Sequence, residues 1–248
     1  SLPIRPRPPE PLQKEARLSI VDMDVEEFYL YLGFPLPPAS HEDIFALDLL
    51  SFIAGGGESS PMVQQLQAEQ ELVNWVTSSA YTPADSGIFI VAAAVEREKH
   101  LEALKQILRL LFRYKHEPVS PEELDRARAN LSSDFIYRRE TVQGQARQLG
   151  YFLTVFSDAD YEEQYLAGLS DVTPKDIMSV AKKYFSASNL NLVMLGKTEG
   201  LSELDVSGLY DLCTGAEDRR RLALTNSSAN KADSNGLTVT QLENGVKI

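Results

Sequence analysis

The apolar positions of this chain change period several times, and each change predicts an element. Phe28, Leu30, Leu32 and Phe34 alternate with Tyr29 and Tyr31, the period of two expected of a strand with one buried face. Ala16–Met23 and Val25–Phe34 carry this first strand signal. Pro35-Leu36-Pro37-Pro38 then stops it, since proline supplies no ladder donor. A helical period follows. Ser40 with Asp43 reads as a cap, and Ile44, Phe45, Leu47, Leu49 and Phe52 build an apolar stripe. Ser60-Pro61 predicts the next helix start, with proline at its tolerated first position. Leu72–Tyr81 and Gly87–Glu96 read as two strands of a hairpin joined by Thr82-Pro83-Ala84-Asp85-Ser86.

The second half is mostly helical in pattern. Leu101, Leu104, Ile107, Leu108 and Leu111 mark an amphipathic helix. Ser120-Pro121-Glu122-Glu123 is a capping box ahead of Leu124, Ala127 and Leu131, and Thr173-Pro174-Lys175-Asp176 repeats the device ahead of Ile177, Val180 and Tyr184. Ser120 to Phe156 reads as one long helix or two, with Gly144 and Gly150 as candidate breaks. Asn189–Leu195 is a short final strand. Strands and helices thus fall in blocks. That order predicts an α+β fold, a two-layer sandwich whose mostly antiparallel sheet carries helices on one face.

The flanks read differently. Residues 1–15 form a proline-rich connector, 16–212 the folded domain, and 213–236 a polar linker dominated by Asn, Ser, Thr and Ala near its end. Residues 237–248 alternate again, with Leu237, Val239 and Leu242 on one side and Asn244-Gly245 as a hairpin signal. They read as the first strand of a following repeat.

Composition narrows the function classes. Of 248 residues, 43% are hydrophobic and 24% charged, ordinary for a globular chain able to bury a core without staples. Cys213 is the only cysteine, so no internal disulfide forms, and the compartment stays open. The formal net charge of -12 repels phosphate backbones, so no nucleic-acid partner is expected. The dense basic cluster Arg219-Arg220-Arg221 sits in a polar stretch and reads as solvated. No apolar run approaches the roughly 20 residues of a membrane span.

Candidate chemistry is sparse. The histidines are His41, His100 and His116, no two of them four residues apart. Neither His-Glu-x-x-His nor its inverse can therefore be written, although His41-Glu42 and His116-Glu117 each begin like a zinc helix. Gly55-Gly56-Gly57 lacks the Gly-Lys-Ser/Thr ending of a phosphate loop. It reads first as a turn between helices and second as a substrate-binding loop. Ser59 and Ser60 have no histidine nearby, and Gly-x-Ser-x-Gly is absent.

The order of several landmarks resembles the inactive-type domain of the M16 peptidases, the family of pitrilysin, insulin-degrading enzyme and mitochondrial processing peptidase. They are Leu32-Gly33-Phe34-Pro35, then His41-Glu42-Asp43-Ile44-Phe45-Ala46-Leu47, then Gly55-Gly56-Gly57-Glu58-Ser59-Ser60, with Leu66 to Val73 after them. Val119-Ser120-Pro121-Glu122-Glu123-Leu124, Gly144-Gln145-Ala146 and Val172-Thr173-Pro174-Lys175-Asp176-Ile177 continue the series. Leu242-Glu243-Asn244-Gly245-Val246-Lys247 looks like the opening of another family repeat.

The resemblance implies the processing-peptidase (metallohydrolase) fold and a parent of four similar domains closing around peptides. It places zinc on an inverted His-x-x-Glu-His motif in another domain, so this chain itself holds neither metal nor cofactor. The Arg and Tyr that a later family domain offers to the substrate carbonyl fall here on Gln67 and Asn74. Neither supplies a cationic fork or a phenol. The chain therefore looks like the second domain of a first half, with no catalytic residues. Its expected partners are other domains of the parent and, through their chamber, peptides. The alternative is a structural module like the core proteins of the respiratory bc1 complex.

Overall fold

The computed structural model describes residues 8, 10–199 and 204–217. Its elements, in order, are β1 (Arg17–Asp22), β2 (Phe28–Leu36), α1 (Ile44–Gly55), a π-helical turn (Val63–Glu69), β3 (Trp75–Tyr81) and β4 (Gly87–Val95). Then come α2 (His100–Phe112), α3 (Pro121–Tyr137), α4 (Val142–Val155), α5 (Tyr161–Asp171), α6 (Pro174–Tyr184), β5 (Asn191–Gly196) and α7 (Val206–Glu217). The five strands form one sheet in the order β1-β5-β2-β4-β3. Only β1 and β5 run parallel; the other pairs are antiparallel. This is the α+β sandwich expected.

Register explains why one face is covered. Phe28, Leu30, Leu32 and Phe34 of β2 lie opposite Val95, Ala93, Val91 and Phe89 of β4, and Leu30 and Leu32 also face Met194 and Leu192 of β5. All are buried, in one cluster with Leu47 and Leu50 of α1, Leu104, Leu108 and Leu111 of α2, and Ile177 and Val180 of α6. A one-residue slip would turn this whole row to the other face, so the core fixes the pairing. On the opposite face, Tyr31, Trp75 and Val193 remain exposed at 43%, 36% and 38%.

Several boundaries differ from the pattern. Pro35 does not end β2, which continues to Leu36. Beyond Gly33 the strand β5 no longer pairs with it, so β2 has a single neighbour there and the missing donor is tolerated. Asp43, not Ser40, is the N-cap of α1, and its side chain makes no cap bond. Instead its carboxylate accepts from Lys183 Nζ and Tyr184 Oη, both at 2.6 Å. Burial raises the Asp43 carboxyl, but these two hydrogen bonds hold it below the usual range.

The stretch from Ser120 to Phe156 divides into α3 and α4, at Thr141 rather than at a glycine. The Thr141 hydroxyl accepts from Gly144 N at 3.0 Å and starts α4. Gly144 is nevertheless required at this corner: a Cβ there would sit 1.7 Å from the Arg138 carbonyl oxygen. The linker expected from 213 starts too early. Leu209, Cys213 and Ala216 of α7 are buried in the main core, and α7 packs on α2. The rest of that stretch, and residues 237–248, lie outside the described residues. In the expected connector, Gln13 is tied down: its Nε2 donates to Ser188 O at 3.0 Å and its Oε1 accepts from Asn191 Nδ2 at 2.9 Å. No described helix is long and apolar enough to cross a membrane.

Candidate functional site

The glycines singled out by sequence close α1. Gly55 ends the helix, and a Cβ on it would lie 2.9 Å from Ser78 Oγ and 3.0 Å from Ser78 N. Ser78 Oγ in turn donates to Ser51 O at 2.6 Å. Gly55 thus lets α1 touch β3, a packing reason for glycine. Gly56 is exposed, and Gly57 borders a cleft of about 50 Å³ shared with Ser59, Ser60, Glu123 and Arg126. A space of that size holds a water or two, not a peptide side chain.

The ligand-type side chains are dispersed. His100 is buried against Phe28, with ring centroids 5.0 Å apart, and its Nδ1 lies 2.6 Å from the Arg97 carbonyl oxygen. His41 Nδ1 accepts from Asp43 N at 3.1 Å. Cys213 is buried, and burial pushes its thiol up to about 12, with the Glu217 charge adding to the shift. A thiol held protonated is a poor zinc ligand. Among the described residues, no three His, Cys, Asp or Glu side chains gather as a metal site. The donor sets of the described residues do not fit a zinc ion. Gln67 lies on the π-helical turn. Asn74 precedes β3, with its Nδ2 donating to Glu27 Oε1 at 2.7 Å.

A larger concave feature lies elsewhere among the described residues. A cavity of about 830 Å³ opens among α1, the end of α3, α4 and the start of α5, within the size range of ligand sites. Its walls are aromatic. Phe135 stacks on Tyr165 with centroids at 5.1 Å and on Phe152 at 5.8 Å, while Phe156 stacks on Tyr161 at 3.6 Å. Asp48, the only charged residue of helix α1, is part of this lining. It accepts from Tyr165 Oη at 2.7 Å. Burial pushes its carboxyl up to about 7, against the lowering effect of that hydrogen bond. Tyr151 Oη donates to Thr82 O at 3.1 Å across the cavity's edge.

Two further features set the polarity of this space. The side-chain amide nitrogen and oxygen of Gln148, which lines the cavity, are both buried and without a hydrogen-bond partner. Such groups are rare in folded chains because each carries a desolvation cost. Arg138 and Arg147 also line the cavity from exposed positions, and neither side chain has a partner among the described residues. None of this was singled out by sequence. The available signal was Asp48 itself, which shares the face of Ile44 and Phe52 at four-residue spacing.

Comparison with known proteins adds a family. The model of the peptidase M16 inactive domain matches residues 1–131. The chain is 30% identical over 191 residues to a Helicobacter pylori protein named zinc protease PqqE, covering 75% of this chain and 42% of that one. A crystal structure of a protease from Helicobacter pylori superposes with a TM-score of 0.70 at 28% identity, over 79% of this chain and 48% of that chain. The structure of a peptidase M16 inactive domain from Pseudomonas fluorescens superposes with a TM-score of 0.71 at 18% identity, over 81% and 48%. At that identity the second likeness speaks to fold alone. The chain spans less than half the length of these relatives. Most of the cavity lining follows residue 131 and so lies beyond the family model's match.

Proposed function

Because the chain belongs to the M16 peptidase family, through its inactive domain, we propose that it is an accessory domain of a zinc peptidase. In this reading it walls part of a substrate chamber and packs against a zinc-bearing neighbour. The observation that carries the reading is the spacing of its three histidines, which cannot present two imidazoles on one helical turn. A zinc ion held by the neighbour would polarise a peptide carbonyl and activate a water. This chain's own residues would bind and orient the peptide away from the metal. Of Gly55, Gly56 and Gly57, the expected substrate-contacting loop, Gly56 is the exposed one and stands as the proposed contact through its backbone, while Gly55 is buried against β3.

The exposed sheet face, with Tyr31, Trp75 and Val193 beside small Ala92 and Ala94, supports packing against another domain, since open apolar faces mark contact sites. Reconstitution tests the proposal. The zinc-bearing domain of the same protein is assayed on an unfolded peptide with and without this chain. Chelator-sensitive cleavage should appear, or rise at least about tenfold, only in the mixture. Full activity of the zinc domain alone, or chelator-sensitive cleavage by this chain alone, would overturn it.

A further inference from the structure

The aromatic cavity is charged in a particular order. A carboxyl lies inside it, on Asp48, and two guanidiniums stand at exposed positions, on Arg138 and Arg147. The influences on Asp48 are burial and the Tyr165 hydroxyl, and neither arginine is among them. Among the described residues, neither arginine is paired with Asp48. A ligand complementary to carboxyl and guanidiniums has a cation at one end, an anion at the other and an alkyl spacer between. An aromatic lining favours that spacer and cation: Phe135, Phe152, Tyr161 and Tyr165 line the space, and aromatic rings attract cations.

Gln148 adds the third requirement. Its buried amide offers an unused donor and an unused acceptor, the complement of one peptide group. A space of about 830 Å³ has room for two or three residues of a peptide. We propose that this cavity binds the C-terminal end of a peptide whose last residue is basic. The side-chain ammonium or guanidinium meets Asp48, the terminal carboxylate meets Arg138 and Arg147, and the peptide group meets Gln148. That the ligand is a peptide rests on the accessory-domain reading; the charge order does not.

Protonation links affinity to pH. Asp48 binds a cation when ionised, so affinity rises as pH increases through about 7. The groups facing it from neighbouring helices are Tyr151 of α4 and Tyr161 and Tyr165 of α5. All three hydroxyls are pushed up, mainly by burial, and stay neutral in this range. Arg138 and Arg147 are the other charged residues of the lining.

Calorimetry on the unaltered 248-residue chain tests this with four probes. They are acetyl-Ala-Ala-Lys with a free carboxylate, the same peptide amidated, its norleucine counterpart, and free lysine. The lysine peptide should bind saturably, and amidation or norleucine should each weaken it about tenfold or more. Affinity should rise at least threefold between pH 6 and pH 8. Free lysine should bind more weakly than the peptide. Asp48→Asn, checked for an intact melting transition, should abolish both the pH dependence and the preference for lysine over norleucine.

No saturable binding of the lysine peptide, equal binding of the norleucine peptide, or equal binding of free lysine would each overturn the proposal. Because no zinc domain is present, the result is separable from the accessory reading. Peptide binding without any gain in proteolysis on mixing would keep the cavity and remove that reading. The converse outcome would do the reverse.

Discussion

At the scale of single residues, Asp48 is the group whose chemistry and fold pull in opposite directions. Its folded carboxyl, near 7, lies above its ordinary value of 3.8, so the folded chain holds a proton that the unfolded chain releases. Linkage then makes stability fall as pH rises from about 4 to about 7 and level off above. The cost is at most about 4 kcal/mol, and less where water in the cavity reaches the carboxyl. Asp48→Asn should remove that slope and be the more stable form at pH 8, with little difference at pH 4. Urea titrations of both chains at the two values check it. The sequence displayed this residue without its meaning. Ile44, Asp48 and Phe52 share a face, but Tyr165 and Gln148 come from helices about a hundred residues away, and no local period links them.

Among elements, legibility followed the strength of local chemistry. Both capping boxes are present as read, at Ser120 with Glu123 and at Thr173 with Asp176, because a cap is complete within four residues. The hairpin β3–β4 also read directly. The parallel pairing of β1 with β5 did not, since it joins segments about 170 residues apart and only the finished sheet decides it. Helix α7 was missed because its glycines, Gly208 and Gly215, and its polar residues dilute the apolar period. Its burial comes instead from packing on α2. A chain ending before Val206 should therefore be destabilised by about 3 kcal/mol or more, the scale of losing several buried side chains. One ending at Glu217 keeps Leu209, Cys213 and Ala216 in place and should melt with the full chain. Paired thermal melts check the boundary.

For the molecule as a whole, the consequential feature is the asymmetry of the sheet. One face is sealed by helices, while the other leaves Tyr31, Trp75 and Val193 accessible among the described residues. A sheet with one covered face ordinarily alternates apolar inside with polar outside. Here the outer row opposite Tyr31 is Ala92 and Val193, and Trp75 faces Ala94, an apolar path that water covers poorly. If a neighbouring domain packs there, the free energy gained scales with the apolar area removed from water, about 25 cal/mol per Å² before the cost of association. Trp75 is the only tryptophan in the chain, so it reports on this face without labelling. Adding the zinc-bearing domain should shift its emission to the blue and reduce acrylamide quenching at least about twofold, as expected for an indole leaving water. Tyr31→Asp places a charge in the middle of the path and should weaken the same titration at least about tenfold, the scale of burying an unpaired charge. The melting temperature of the isolated chain should stay nearly unchanged, because Tyr31 is exposed there. An unshifted spectrum on mixing, with reconstituted activity present, would place the contact on another surface and leave this face to solvent.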